Sequence, residues 1–77
     1  MSSEKMEVQE LVEQGKVLYS LDKYDEALEL LKKAAELDPY YEPVYENMSA
    51  CYTMVDKYEE ARSVLNRYLM VNKKSGL

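Results

Sequence analysis

Few side chains in this sequence could do covalent chemistry, and their types limit what that chemistry could be. The single cysteine, Cys51, is the strongest nucleophile, but a catalytic thiolate needs a base and the chain contains no histidine. We therefore expect Cys51 to be an unpaired thiol that acts as a small buried hydrophobic residue on a helix. The two glycines, Gly15 and Gly76, lie too far apart for a phosphate-binding loop.

The carboxylates are the other groups that could act in catalysis or hold a metal ion. Their spacing places most of them on solvated helix faces beside lysines, and no histidine is present to share a metal. These residues are Glu26, Glu29, Glu36, Glu59 and Glu60. We interpret them as solubilising residues, so the sequence predicts no catalytic residue, no metal, no cofactor and no small-molecule substrate.

The tyrosines could indicate a ligand site. Most of the 8 tyrosines recur in phase with the helices, which is typical of packing residues. Tyr40 and Tyr41 are exceptions, because they lie in a connection flanked by two prolines. They either cover the junction between two hairpins or are exposed to a partner.

A repeated phrase organises the elements that carry these residues. Residues 22–27, Asp-Lys-Tyr-Asp-Glu-Ala, return 34 positions later as residues 56–61, Asp-Lys-Tyr-Glu-Glu-Ala. A period of that size indicates stacked helical repeats. Apolar residues at i, i+3, i+4 and i+7 predict four helices, over about residues 4–20, 24–37, 43–55 and 58–71.

Short connections between the predicted helices indicate two antiparallel hairpins. Asp22 and Asp56 lie in the tight turns, where aspartate tolerates a left-handed backbone and its carboxylate can cap the next helix. Asp38-Pro39 stops the second helix, and Pro43 opens the third from its first turn. Gly15 is expected where two helix backbones cross closely.

Composition narrows the class of partner. The 77-residue chain has 10 basic and 15 acidic residues, a net charge of -5 that disfavours nucleic acid and anionic membranes. No apolar run approaches the roughly 20 residues that span a bilayer, and the first residues lack the apolar segment of a signal peptide. We therefore expect a cytoplasmic protein whose partner is another protein or a peptide.

The spacing of large and small residues resembles the tetratricopeptide repeat family. Its signature positions are filled by Leu11, Gly15, Leu18, Ala27, Leu31, Ala34 and Pro39, and then by Tyr45, Ser49, Tyr52, Ala61, Leu65 and Tyr68. The resemblance implies an all-α fold, with two tandem antiparallel helix-turn-helix hairpins stacked as a short right-handed α-solenoid. We expect one domain over residues 1–77, with repeats at about 8–41 and 42–75 and a frayed tail at 73–77.

The resemblance also implies a concave groove, lined by the first helix of each hairpin, that binds a peptide or helix. Carried onto this chain, the groove residues are Gln9, Val12, Lys16, Tyr19, Glu46, Asn47, Ala50 and Thr53. In the best-known use of the fold, a lysine and asparagines clamp the terminal carboxylate of a chaperone peptide. At those positions this chain has Val12, Lys16, Glu46 and Ala50, which make a poor carboxylate clamp.

The last helix supports an alternative hypothesis. Leu65, Tyr68, Leu69 and Met70 form an apolar patch that a second copy, a partner or further sequence would cover. The alternatives to a peptide-binding module are therefore a homodimer that pairs through this helix and a piece of a longer repeat array.

Overall fold

Four α-helices make up the computed structural model, which describes residues 2–76 and the side chains of residues 6–71. They are α1 (Ser2–Ser20), α2 (Tyr24–Leu37), α3 (Glu42–Met54) and α4 (Tyr58–Gly76). Residues 2–76 contain no strand. The predicted all-α fold of four helices is therefore confirmed.

The central element of the packing is α3. It contacts both helices of the first hairpin, α1 and α2, and also its own hairpin partner α4. Within the described residues, α4 packs only against α3. The Cα atoms span 36 × 29 × 14 Å, which corresponds to a slab about two helices thick. The position of α4 therefore depends on where α3 sits against the first hairpin.

Both hairpins turn at an aspartate in the left-handed conformation, as the sequence predicts. The φ angles are 64° at Asp22 and 65° at Asp56. In the first turn the Lys23 amide donates to the Leu18 carbonyl at 2.8 Å, and the Asp22 amide donates to the Tyr19 carbonyl at 3.0 Å. The second turn repeats both bonds, at 2.8 and 3.1 Å. Together they satisfy carbonyls at the end of the first helix in each hairpin.

The two aspartate carboxylates do not cap the next helices, so that part of the prediction is wrong. Asp22 accepts a hydrogen bond from the Tyr24 hydroxyl at 2.8 Å, and Asp56 accepts one from the Tyr58 hydroxyl at 3.0 Å. The residue before α2, Lys23, makes no side-chain capping bond either. In both hairpins the carboxylate is instead bonded to the tyrosine two residues later in the chain. This hydrogen bond raises the pKa of the Tyr24 and Tyr58 phenols.

Gly15 lies at the closest approach of α1 and α2. A methyl group placed on Gly15 would lie 3.1 Å from both Cγ and Cδ2 of Leu31. Leu31 is fully buried, so it has little room to withdraw. The predicted close crossing is confirmed, and it requires the absence of a side chain at this position.

The core belongs mainly to the first three helices. Its buried side chains are Val8, Leu11, Val12, Ala27, Leu28, Leu31, Ala34, Val44, Tyr45, Met48 and Cys51. From α4, Ala61 is buried, and Val64 and Tyr68 are half-buried. The Tyr68 ring packs against Tyr45 with centroids 5.5 Å apart. The second helix of the second hairpin is thus far less covered than its counterpart α2.

Prolines mark the end of α2 and the beginning of α3. α2 ends at Leu37, directly before Asp38-Pro39, and Pro43 lies in the first turn of α3. α4 continues to Gly76, so residues 73–76, where the sequence predicts a frayed tail, belong to the helix. Leu77 lies outside the described residues.

We expect Gly15→Leu to lower the free energy of unfolding by about 1–3 kcal/mol, because the added side chain must displace the buried Leu31. Urea unfolding followed by circular dichroism measures the change. Gln14→Leu places the same side chain on the neighbouring exposed position, where we expect a change within about 0.5 kcal/mol. Equal effects of the two substitutions would contradict the close packing at Gly15.

We expect Asp22→Ala to destabilise the fold by about 1–2 kcal/mol, because a left-handed backbone strains a residue with a Cβ atom. Asp22→Gly should cost less, since glycine adopts this conformation freely. Tyr24→Phe removes only the phenol's hydrogen bond and so separates that bond from backbone strain. Thermal unfolding of the three variants gives the order, and a glycine variant less stable than the alanine variant would exclude the backbone explanation.

Candidate functional site

Most of the predicted groove residues lie on exposed or half-exposed parts of α1 and α3, which pack against each other. On each helix, spacings of three, four or seven residues bring most of them to one face. The exposed members are Gln9, Lys16, Glu46 and Thr53, and the half-buried members are Tyr19, Asn47 and Ala50. We call these seven residues the α1/α3 surface.

Val12 does not belong to this surface, although the family resemblance predicts it as a groove residue. Its side chain is 3% exposed and forms part of the core. Val8, Leu11 and Val12 make one apolar stripe on α1, and the helices packed on α1 cover that stripe. Val12 is therefore a packing residue, and its side chain is not exposed to a partner in this structure.

Polar side chains on the α1/α3 surface are held by their own helix. The Asn47 side-chain amide donates to the Pro43 carbonyl at 2.7 Å, and the Thr53 hydroxyl donates to the Ser49 carbonyl at 2.8 Å. The Tyr19 ring packs edge-on against Tyr24, with centroids 5.4 Å apart. These contacts restrict the rotamers before any partner arrives, which reduces the entropy lost on binding.

The α1/α3 surface carries charges of both signs. Lys16 lies 3.5 Å from Glu13, but both side chains are more than half exposed, so this ion pair is weak. Glu46 is exposed on α3. A partner that covers both positions meets a cation on one helix and an anion on the other.

The predicted patch on α4 is exposed at three of its four residues. Leu65 is 42%, Leu69 61% and Met70 71% exposed, whereas Tyr68 is half-buried against Tyr45. Beside them lies an open depression of about 270 Å³. It is lined by Glu42, Tyr45, Glu46, Leu65, Tyr68 and Leu69, and we call it the α3/α4 depression.

Glu42 and Tyr45 were not singled out as site residues from the sequence. The 34-residue period could have identified them, because they are the counterparts of Val8 and Leu11, which are buried in the first hairpin. Because the buried Val8 corresponds to a glutamate in the second hairpin, we expect that position to be exposed to solvent there.

A second depression, of about 360 Å³, lies among α2, α3 and α4 and was not predicted. Lysine and arginine side chains line it together with glutamates, and apolar residues complete the wall. The lining residues are Lys32, Ala35, Glu36, Met48, Tyr52, Glu60, Ser63, Val64 and Arg67. Its mixed charges point to no particular ligand.

The two tyrosines in the α2–α3 connection have different environments. Tyr41 is half-buried against the core, so it covers the junction between the hairpins. Tyr40 is 61% exposed. Each of the two alternatives open from the sequence therefore applies to one of the residues.

Comparison with protein families agrees with this arrangement of helices and small residues. A family model described as tetratricopeptide repeat matches residues 18–76. The chain belongs to the tetratricopeptide repeat family. The match covers α2, α3 and α4 and the end of α1.

Among curated proteins, heat shock protein STI1 of Saccharomyces cerevisiae is similar to this tetratricopeptide repeat chain. The two are 36% identical over 64 residues, which cover 82% of this chain and 11% of STI1. The chain therefore spans a small part of its relative's length. No solved structure matches the chain.

In the described part of this tetratricopeptide repeat protein, the side chains considered for catalysis or metal binding do not come together in one site. Cys51 is fully buried, and burial raises the pKa of its thiol above the ordinary value. The five glutamates considered for catalysis are all exposed. Within the described residues, no three cysteine or carboxylate side chains converge as a metal site would require.

None of the described helices combines the length and the apolar character needed to cross a lipid bilayer.

We expect Cys51 to react with iodoacetamide about 100-fold more slowly in the native protein than in urea, because the buried thiol must first be exposed by opening of the fold. Raising the pH increases thiolate in the unfolded chain before it does so in the native one, since burial raises the native pKa. The thiol therefore contributes stability below its unfolded pKa, and that contribution is lost as pH rises through the native pKa.

The matched control for this labelling experiment carries Cys51→Ala together with Ser63→Cys. Ser63 is exposed on α4, so the new thiol should react at the same rate with and without urea. Rapid alkylation of native Cys51 would contradict its place in the core.

Proposed function

We propose that this tetratricopeptide repeat chain is a non-catalytic protein-interaction module whose α1/α3 surface binds a peptide or helix of a partner protein. The observation that supports the proposal is the packing of α1 against α3, which puts the first helices of both hairpins next to each other. Members of this repeat family generally act as protein–protein interaction modules. Partner binding then needs no chemistry beyond complementary contact.

The charges of the α1/α3 surface favour a partner segment with both an acidic and a basic residue. Lys16 would face the acidic residue and Glu46 the basic one, while Asn47 and Thr53 offer further polar contacts. Exposed ion pairs add little free energy but discriminate against segments with the wrong charge order. Affinity has to come from packing against half-buried residues such as Tyr19 and Ala50.

A terminal carboxylate is a poor ligand for this surface. Lys16 is the only cation among its seven residues, and Glu46 carries the same charge as the ligand would. Val12, which stands at one position of the clamp found in some family members, is buried. We therefore propose an internal segment of the partner as the ligand.

The proposed setting is the cytoplasm, with no nucleic acid, membrane or small-molecule substrate as partner. The unpaired Cys51 is compatible with a reducing compartment. The net charge of -5 favours association with neutral or basic protein surfaces.

A charge-reversal experiment tests the α1/α3 surface. Peptides selected by display against the parent chain should lose about 2- to 5-fold in affinity on Lys16→Glu if they carry an acidic contact residue, and similarly on Glu46→Lys for a basic one. Reversing the charge of the matching peptide residue should restore affinity to each variant. Fluorescence anisotropy with labelled peptides measures these changes.

The controls make the same charge changes on α2, away from the α1/α3 surface. Lys33→Glu and Glu29→Lys alter exposed residues and should leave peptide affinity unchanged apart from a small general charge effect. Selected peptides that respond equally to the control variants, or do not respond to Lys16 and Glu46, would exclude this surface as the binding site.

A further inference from the structure

The 34-residue period shows what the α3/α4 depression corresponds to in the first hairpin. Each residue lining the depression has a counterpart 34 positions earlier. The counterparts of Glu42, Tyr45, Glu46, Leu65, Tyr68 and Leu69 are, in the same order, Val8, Leu11, Val12, Leu31, Ala34 and Ala35. The depression is therefore the second copy of one defined region of the first hairpin.

In the first hairpin that region is covered. The first five of the six counterparts are at most 8% exposed, and Ala35 is half-buried. The covering element is α3, because it is the helix outside the first hairpin that packs against both α1 and α2. The chain thus contains its own example of what fits this shape, namely an α-helix laid across a hairpin.

In the second hairpin no described helix takes that place. Leu65 is 42% exposed where its counterpart Leu31 is fully buried, and Leu69 is 61% exposed. The floor of the depression remains apolar, because Tyr45 of α3 and Tyr68 of α4 are in ring contact beside these leucines. Shape and floor both suit a helix with an apolar stripe.

The rim of the depression is charged where its counterpart in the first hairpin is apolar. This difference indicates which charge a covering helix should carry. Val8 and Val12 are replaced by Glu42 and Glu46, which lie one turn apart on α3 and are both exposed. Neither carboxylate forms an ion pair with any residue among 6–71. A helix that covers the rim without cations would desolvate two unpaired charges, which is unfavourable.

We propose that the α3/α4 depression binds an amphipathic α-helix of another protein, whose apolar stripe covers Leu65 and Leu69 and whose lysines or arginines face Glu42 and Glu46. The depression shares Glu46 with the α1/α3 surface, and its other five lining residues lie outside that surface. The mode of binding is the helix-in-groove type, read by residues at i, i+3, i+4 and i+7.

A different protein fits better than a second copy of this chain. Two copies would bring together chains that each carry a net charge of -5, and each would present the same pair of glutamates. Arg67 of α4 lines the other depression with Lys32 and is not among the residues that line the α3/α4 depression. The partner is therefore expected to supply the positive charge.

The test uses three synthetic helical peptides with the same leucine stripe at i, i+3, i+4 and i+7 and with lysine, glutamine or glutamate at the flanking positions. Fluorescence anisotropy with the full chain should give at least about 10-fold tighter binding of the lysine peptide than of the glutamate peptide at low salt, with the difference shrinking as salt rises. Glutamine should be intermediate.

Variants of the chain then locate the binding. Leu69→Glu should reduce binding of the lysine peptide by at least about 10-fold, because it places a charge on the apolar floor. Glu42→Lys with Glu46→Lys should invert the preference to the glutamate peptide. Glu26→Lys with Glu29→Lys makes the same charge change on exposed positions of α2 and should preserve it. Circular dichroism confirms that each variant is folded.

Three results would overturn the proposal. The first is equal binding of the lysine and glutamate peptides, and the second is binding that Leu69→Glu leaves unchanged. The third is a dimer in sedimentation equilibrium that Leu69→Glu dissociates, since a second copy would then occupy the depression. Lys16→Glu serves to separate the two surfaces. It should leave lysine-peptide binding intact, and loss of binding there would assign the peptide to the α1/α3 surface instead.

Discussion

The contact between Leu31 and Gly15 determines how closely α1 and α2 approach, and the rest of the chain is built on that distance. Leu31 occupies space that a side chain at position 15 would need. The two helices together form the surface on which α3 lies, and α4 in turn packs only on α3 within the described residues. A change in the distance between α1 and α2 would therefore shift the positions of α3 and α4. The second hairpin has Ser49 and Leu65 at these positions, and Leu65 is 42% exposed where Leu31 is fully buried.

The left-handed aspartates fix the second constraint, the direction in which each hairpin reverses. Because Asp22 and Asp56 share φ angles, amide hydrogen bonds and a phenol partner two residues later, both turns have the same local geometry. Their carboxylates are already engaged by tyrosines in the same chain. The most conspicuous repeated phrase of the sequence therefore serves the scaffold, and a partner has to be recognised by residues outside it.

Features that depend on neighbours along the chain could be predicted from the sequence. The helices, the proline-directed ends of α2 and α3, the left-handed turns and the small residue at Gly15 all follow from local stereochemistry or from the periodic pattern. Features that depend on a competing contact could not. Val12 lies at the edge of an apolar stripe, and only the packing of other helices decides whether that edge is buried. The carboxylate of Asp22 had two available donors, an amide and a phenol, and sequence spacing does not rank them.

The differences between the two copies carry more information about partners than the similarities do. Two valines that lie in the core of the first hairpin have Glu42 and Glu46 as their counterparts in the second hairpin, where both glutamates are exposed. An apolar floor alone would accept almost any amphipathic helix, including another copy of the same hairpin. On our proposal, two carboxylates at its rim disfavour helices that cannot neutralise them, because the burial of unpaired charges is unfavourable. The two glutamates would thus restrict the range of helices that can cover α4, and neither of them belongs to the core formed by the first three helices.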